Sequence, residues 1–251
     1  MTVSLILACL NEIKGLRLYV PQFVAKGYHQ VILLDGGSTD GSVEYAKSMG
    51  CQIVTQTNKG MRAAYLDVYD HLTGDLVILF SPDGNSLPEA VDPLVAKLEE
   101  GYDMVIASRY KDGAKSYDDT LLTGAANWTF TKLIGLYGFP YTDAMVMFRG
   151  FRREVPEKLG LTLNRGEHYE VHSAGRYVSW EPLMSIRAAK ARMRIAEIPA
   201  DEPVRVDLTG QGIFLPATRI QHFRVGFYCG LQLIEEAVRW KWPLRGGGFG
   251  P

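Results

Sequence analysis

The sequence predicts an α/β protein built on one mostly parallel β-sheet with helices on both faces. Short apolar runs alternate with helical patterns over the first 110 residues, and this alternation indicates parallel strands joined by helical crossovers. The runs are apolar at almost every position, as expected for strands buried on both faces of a sheet. Neither a repeat nor an interdomain linker interrupts the 251 residues, so a single domain is predicted.

The first half contains five predicted strands with a helix between successive strands. The helix over Ile13–Lys26 contains Pro21, which should kink or split it because proline cannot donate the helical hydrogen bond. Apolar residues between Met61 and Leu72 recur with helical spacing and predict another helix. The strands are predicted at Val3–Leu10, Val31–Leu34, Gln52–Val54, Leu76–Phe80 and Met104–Ala107, and the remaining helices at Val43–Met49 and Pro88–Leu98.

The pattern is looser after Tyr110. A helix is predicted over Leu121–Leu136, strands in AMVMF (144–148) and RIAEI (194–198), and a long C-terminal helix over Ile220–Trp240. Glu235 and Glu236 put negative charge on the polar face of this last helix, which disfavours binding to an anionic membrane. Its opposite face is apolar, and we expect it to pack on the domain or on a second copy of the chain: Phe223, Phe227, Leu231, Ile234 and Val238.

Composition and charge exclude several classes of protein. The chain has 27 basic and 28 acidic residues, so it lacks the basic excess typical of a nucleic-acid-binding protein. Cys9, Cys51 and Cys229 are odd in number and far apart, which argues against a disulfide framework and favours a reducing compartment. No apolar stretch reaches the roughly 18–20 residues of a membrane-spanning helix. We therefore expect a cytoplasmic protein without a signal peptide or membrane span, and leave peripheral membrane contact open.

Polar residues follow four of the predicted strands. In an open parallel sheet, ligands bind beyond the carboxyl ends of the strands. The relevant segments are Asn11-Glu12, Asp35-Gly36, Ser81-Pro82-Asp83-Gly84-Asn85 and Ser108-Arg109-Tyr110. Each segment alone fits a turn or a helix cap, but carboxylates gathered at one edge repel each other unless they bind cations or hydrogen-bond donors. Together they predict a ligand site, although neither a phosphate loop nor a dinucleotide fingerprint is present.

The order of several motifs resembles that of a known family. ACLNE, VILLDGGSTDGS, NKGMRAA, GDLVILFSPDGNSLPEAVDPLV, MVIASRY, FRGFRREV and RIAEIPADEPVR occur as in family-2 glycosyltransferases of the GT-A fold, over roughly residues 1–205. The closest resemblance is to the dolichyl- or polyprenyl-phosphate mannose synthase branch. It implies a GT-A, Rossmann-like fold, a UDP- or GDP-sugar donor, Mg²⁺ or Mn²⁺, and transfer of a hexosyl group with inversion. The acceptor is then a lipid phosphate or a hydroxyl compound.

On this resemblance we divide the chain into a glycosyltransferase domain and a tail. The domain covers residues 1–242, with a nucleotide-binding half at 1–110, an acceptor half at 111–215 and a C-terminal helix at 216–242. Residues 243–251 are expected to form a flexible tail. A homo-oligomer formed through the C-terminal helix is compatible with this division.

The resemblance also assigns roles to individual residues. Arg149 and Arg205 are implied to act in catalysis, Arg205 by closing over the donor diphosphate. Asp83 and Asn85 are implied to hold the metal. The implied nucleotide-sugar-binding residues are Glu12, Asp35, Gly36, Lys59, Asp83, Asn85 and Arg109.

The chain departs from the family at two of these places. Ser81 stands where the family has the first aspartate of its Asp-x-Asp motif, and Gly36 stands where many members have a second aspartate. Mg²⁺ often binds through only one or two carboxylates together with phosphate oxygens. We therefore predict that Asp83 alone can anchor the metal once a diphosphate is present.

A hydroxyl acceptor needs a base, whereas a phosphate acceptor does not. Asp143 in YTDAMVMF is our candidate for that base, with a turn aspartate as the equally supported alternative. Two other functions stay open. One is a nucleotide-sugar-binding module without turnover. The other is a sugar-phosphate nucleotidyltransferase, which is disfavoured because ILACLNEIKG lacks a glycine-rich basic loop.

Overall fold

A mostly parallel sheet forms the centre of the computed structural model, which describes residues 1–58, 60–162, 180–204 and 219–238, with side chains from 226 in the last range. Its strands are β1 (Val3–Cys9), β2 (Gln30–Asp35), β3 (Gln52–Thr55), β4 (Leu76–Phe80), β5 (Met104–Ser108), β6 (Arg149–Arg152) and β7 (Ile195–Pro199). Within these residues the strand order is β3-β2-β1-β4-β6-β5-β7. All neighbouring pairs are parallel except those of β6, which is antiparallel to β4 and β5.

Helices cover both faces of this sheet. They are α1 (Ile13–Ala25), α2 (Ser42–Ser48), α3 (Met61–Tyr69), α4 (Val91–Glu99), α5 (Leu121–Gly135), α6 (Val155–Lys158), α7 (Trp180–Lys190) and α8 (Arg219–Val238), with a 3₁₀ turn at Pro88–Ala90. Buried residues of α1, α2 and α4 pack on one face, and those of α3, α5 and α7 on the other. The predicted α/β class is confirmed, with two apolar cores separated by the sheet.

One local prediction is wrong, and a second is wrong in one of its two forms. The apolar run AMVMF is not a strand; the strand starts at Arg149, directly after it. Met145, Val146 and Met147 are apolar because they pack against the cores beyond the end of the sheet, and burial alone explains their composition. Pro21 does not split its helix, since α1 continues to Ala25 with Pro21 on the exposed side. The alternative, a kink at Pro21, stays a prediction.

The described part of the C-terminal helix does not pack its predicted apolar face on the domain; packing of this face on a second copy of the chain stays a prediction. On α8, Phe227, Ile234 and Val238 are 55%, 63% and 82% exposed, whereas Cys229 and Glu236 are buried. The side chain of Phe223 and residue Trp240 lie outside the described residues. The side of α8 that carries the larger apolar residues therefore faces away from the domain. Within the described ranges, no helix is both long enough and apolar enough to cross a bilayer.

A buried group of three charges accounts for this orientation. Arg187 and Lys190 of α7 contact the carboxylate of Glu236, with N–O distances of 2.8 and 2.9 Å. Glu236 therefore does not contribute to an outward negative face, contrary to the sequence-based expectation. Arg187 also donates to the carbonyl oxygen of Leu159 at 2.9 Å. Buried charges are tolerated only when paired and hydrogen-bonded, so this contact determines how α8 docks.

We predict that Glu236→Gln destabilises the protein by about 3–5 kcal/mol, because two buried cations lose their counter-ion. Burial opposes the charge of Glu236, but Arg187 and then Lys190 outweigh it and lower its pKa below the ordinary 4.5. The contribution is thus present above pH 4.5 and is lost as the pH falls through the lowered value. Urea unfolding at pH 7 and pH 4 measures it. Glu235→Gln, one residue earlier and partly exposed, is the control; equal effects of the two variants would contradict the prediction.

Candidate active site

A cavity of about 560 Å³ opens at the carboxyl ends of the parallel strands. Its wall combines segments that follow β1, β2, β3, β4, β5 and β7 with the segment that precedes β6. The polar members of the lining are Glu12, Gln56, Ser81, Asp83, Asn85, Ser86, Arg109 and Glu202, and the apolar ones include Met145, Val146, Met147 and Phe148. Five residues assigned from the sequence, Glu12, Gly36, Asp83, Asn85 and Arg109, thus line one cavity.

Asp35 lies behind the cavity wall and holds the loop that follows β2. Its side chain is almost fully buried, and its two carboxylate oxygens accept the backbone N–H groups of Gly37 and Ser38 at 3.0 Å each. Gly36 forms part of the wall itself. Its N–H donates to the carbonyl oxygen of Cys9 at 2.8 Å, and a Cβ built on it would lie 3.3 Å from that oxygen. Asp35 therefore shapes this end of the cavity through the backbone.

The loops after β1 and β2 are also tied to each other. Asn11 accepts the N–H of Thr39 at 2.7 Å, and Asp40 accepts the N–H of Ile13 at 3.0 Å. Burial opposes the charge of Asp40, but hydrogen bonds from Ser42 and Ile13 outweigh it and lower its pKa. Asn11 has a φ of 60°, which asparagine tolerates better than most residues. The sequence analysis named Asn11 as part of a strand-end segment without giving it a role of its own, and it assigned no role to Asp40.

The segment after β4 places one carboxylate at the middle of the cavity. Asp83 lines the wall and its Oδ1 accepts the N–H of Asn85 at 3.3 Å. The amide oxygen of Asn85 accepts the Ser86 hydroxyl at 3.4 Å, and its amide nitrogen donates to Glu202 at 3.5 Å. Within the described ranges, no three His, Cys, Asp or Glu side chains form a metal-binding group. The donor set fits a cation that completes its shell with phosphate and water oxygens.

The position of the loop after β4, residues 81–86, depends on Gly15 in the first turn of α1. A Cβ built on Gly15 would lie 1.6 Å from the carbonyl oxygen of Pro82, a separation that no side chain allows. Helix α1 therefore approaches the loop backbone more closely than any residue other than glycine permits. Gly15 was not predicted as a site residue; a glycine within a helical pattern is the signal that could have identified it.

Arg109 is surrounded by carboxylates at the far end of the cavity. Its Nε and Nη2 donate to the two oxygens of Asp143 at 2.6 and 3.0 Å, a bidentate pair. Its Nη1 donates to Glu202 at 3.2 Å and lies 3.8 Å from Asp119. Burial opposes the charge of Arg109, but Asp143 and then Glu202 outweigh burial and raise its pKa. Asp143 is fully buried behind Arg109 and is not part of the lining.

Glu202 is a cavity residue that the sequence analysis missed. It follows β7, so the same rule that identified the other strand ends would have found it. Its backbone is paired with residues 115–117 of the loop before α5, and the Ser116 hydroxyl donates to its side chain. Burial raises the pKa of Glu202, and Arg109 and Ser116 offset part of that rise.

The remaining predicted residues lie elsewhere. Arg149 is fully buried on β6, where it donates to the carbonyl oxygens of Ala144 and Glu181 at 3.1 Å each. Burial lowers its pKa. Arg149 thus supports the segment 144–148 from behind and does not line the cavity. Lys59 and Arg205 lie outside the described residues.

Open α/β sheets bind their ligands beyond the carboxyl ends of the strands, where this cavity lies. The fold and the cavity, with Asp83 at its middle strand, therefore define a ligand-binding α/β protein. Comparison with known sequences makes this more specific. The profile of Glycosyl transferase family 2 matches residues 4–160, and the chain belongs to this family.

Curated relatives match over part of their length. The Glycosyltransferase AglJ of Haloferax volcanii is 30% identical over 149 residues, which cover 57% of this chain and 48% of that protein. The Undecaprenyl-phosphate 4-deoxy-4-formamido-L-arabinose transferase of Klebsiella pneumoniae is 31% identical over 135 residues, or 51% of this chain and 40% of that protein. The chain therefore spans about half the length of the curated relatives that it matches.

Solved structures support the fold. Glucosyl-3-phosphoglycerate synthase from Mycobacterium tuberculosis, in complex with Mn²⁺, UDP-glucose and phosphoglyceric acid, superposes with a TM-score of 0.61. The two chains are 17% identical, and the match covers 94% of this chain and 80% of that one. At this identity the likeness shows the fold alone, and it confirms the predicted GT-A fold.

We predict that Gly15→Ala displaces the loop that carries Asp83 and destabilises the protein by about 1–3 kcal/mol, as overpacking of a buried contact does. Thermal denaturation measures the stability, and hydrogen exchange of amides 81–86 reports on the loop. Gly135→Ala in α5 is the control, because a Cβ there meets nothing closer than 3.9 Å. Unchanged exchange in Gly15→Ala would contradict the close-packing argument.

Proposed function

We propose that the chain transfers a sugar, with inversion, from a UDP- or GDP-sugar to an acceptor, assisted by a divalent cation. The observation that carries the proposal is the single cavity that runs across the strand ends. Gly36 and Gln56 form one end of it, Asp83 the middle and Arg109 the other end. In this proposal the nucleoside lies at the Gly36 end, the diphosphate at Asp83 and the acceptor at the Arg109 end.

Asp83 is the residue that would hold Mg²⁺ or Mn²⁺, with Asn85 beside it. When bound, such a cation neutralises negative charge on the diphosphate of the donor. The solved Mycobacterium tuberculosis enzyme, which contains Mn²⁺ and UDP-glucose, supports the use of a divalent cation. Lys59 and Arg205 are proposed to contact the donor from segments outside the described residues.

In the reaction, the acceptor oxygen forms a bond to the anomeric carbon as the bond to the diphosphate oxygen breaks. A hydroxyl acceptor also gives up its proton to a base, whereas a phosphate acceptor needs none. The nucleoside diphosphate leaves with the bonding electrons, and positive groups near it stabilise the transition state more than the ground state. The relatives named for undecaprenyl phosphate support a lipid-phosphate acceptor. Family membership by itself does not specify the acceptor, so a hydroxyl compound stays open as the alternative.

Asp143 was predicted from the sequence as the base for a hydroxyl acceptor, with a structural aspartate as the alternative. Both of its oxygens contact Arg109, and its backbone N–H donates to Glu197 at 3.0 Å. This geometry favours a positioning role, in which Asp143 orients Arg109 toward the cavity. The same reasoning makes Arg149 a positioning residue for the segment 144–148.

We also propose a cytoplasmic location and association of copies through α8. Cys9, Cys51 and Cys229 are buried and unpaired, as expected in a reducing compartment. An apolar groove of about 490 Å³ between α5 and α8 supports association. It is lined by Phe130, Leu133, Leu136, Tyr137, Gly230, Leu233, Ile234 and Ala237.

A thermal-shift screen of nucleotide-sugars with and without Mg²⁺ or Mn²⁺ tests the function. We expect one UDP- or GDP-sugar to stabilise the protein by about 2.7 kcal/mol at 100 times its dissociation constant. Asp83→Asn should abolish the metal-dependent part of this shift, whereas Asp92→Asn on α4 should not. A shift that is independent of metal in the wild type would remove Asp83 from the metal site. Binding without transfer to any acceptor would favour the non-catalytic module.

Asp35→Ala should weaken nucleotide binding by about 1–3 kcal/mol, because two loop N–H groups lose their acceptor. Isothermal titration calorimetry should find the same loss with and without Mn²⁺, since Asp35 lies at the end of the cavity away from Asp83. Asp75→Ala is the matched control: Asp75 also accepts a backbone N–H, from Thr2 at 2.8 Å, but at the opposite edge of the sheet. A loss seen only with Mn²⁺ would assign Asp35 to the metal.

A further inference from the structure

The far end of the cavity is unusually acidic for a site that would receive a phosphate. Arg109 and Glu202 form its wall, on the β5 and β7 side of Asp83. Three carboxylates, those of Asp143, Glu202 and Asp119, lie within 3.8 Å of the single guanidinium. Among the described lining residues, Arg109 is the only cation.

Arg109 has little capacity left for a phosphate. Three of the five N–H donors of a guanidinium are used here, two by Asp143 and one by Glu202. A phosphate bound to the two remaining N–H donors of Arg109 would lie close to the negative charges of Glu202, Asp143 and Asp119. Ser116 also donates to Glu202, which holds the carboxylate in place. Like charges brought together at a partly buried site disfavour binding.

The hydroxyl group of an uncharged acceptor is suited to the surroundings of Arg109 and Glu202. Glu202 keeps 13% of its side chain exposed, and Arg109 keeps 14%. A carboxylate accepts hydrogen bonds at several lone-pair positions, so Glu202 can accept one from an acceptor hydroxyl while retaining Arg109 and Ser116. The backbone of Glu202 is held by residues Lys115 and Tyr117, so the side chain starts from a rigid position.

We propose that this end of the cavity recognises a neutral acceptor through its hydroxyl group, with Glu202 as the residue that selects against phosphorylated acceptors. The inference rests on the proposed function and identifies the acceptor class of that site. It separates this chain from relatives that are named for a lipid-phosphate acceptor.

The test uses a water-soluble short-chain prenyl phosphate and the corresponding prenol, which differ only in the phosphate. Their binding to the purified full chain is measured at pH 8, so that carboxylates are ionised, with the nucleotide and Mn²⁺ present. We expect Glu202→Gln to bind the prenyl phosphate about tenfold more tightly than the wild type, because one repelling charge is removed. Glu202→Ala should behave in the same way, and thermal denaturation checks that both variants fold.

Glu157→Gln is the matched control, because Glu157 is an exposed glutamate on α6, at the opposite edge of the sheet from the cavity. It should leave binding of both probes unchanged. Equal or weaker binding of the prenyl phosphate to Glu202→Gln would overturn the proposal, as would faster sugar transfer by the wild type to the phosphate than to hydroxyl acceptors. Failure of the proposed function is recognised separately, by the absence of nucleotide-sugar binding before any acceptor is added.

Discussion

The cavity depends on the antiparallel insertion of β6 between β4 and β5. Because β6 runs against its neighbours, the residues just before it lie at the edge where the parallel strands end. This insertion brings Asp143 beside Arg109 and lays the segment 144–148 along the cavity wall. A parallel strand in the same position would direct its preceding segment to the opposite edge.

Charge pairing then determines how the parts surrounding this edge are held. Arg149 reaches from β6 to the carbonyl oxygens of the wall segment. Arg109 joins the end of β5 to the segment before β6 through Asp143 and to the end of β7 through Glu202. Buried guanidinium groups must have their donors satisfied, so each such contact restricts the loops that supply the acceptors. Buried charges are also paired between α7 and α8, where Glu236 contacts Arg187 and Lys190 and thereby docks α8 onto α7.

The arrangement also relates the chain to its family. Family-2 membership and the GT-A fold are established by the matched profile and by the solved structures. Within this frame, the chain has a single carboxylate at the middle strand and three around Arg109. The distribution of charge thus differs between the two parts of one cavity: Asp83 lies at the middle, where we propose a cation, and the acidic groups surround Arg109, where we propose a neutral acceptor.

The amino-acid sequence by itself determined the first five strands, the helices between them and the polar residues that end β1, β2, β4 and β5. These features follow from local patterns of apolar residues, and strand ends meet at one edge whenever strands are parallel. Tertiary structure alone decided which face of α8 is buried, why AMVMF is apolar, and which distant residues Gly15 and Glu202 contact. Each of these depends on contacts between residues far apart in the chain, such as Gly15 with Pro82 or Arg109 with Glu202. A local sequence pattern indicates whether a position is buried, but it does not specify which distant residue the side chain contacts, because that contact forms only when the chain folds.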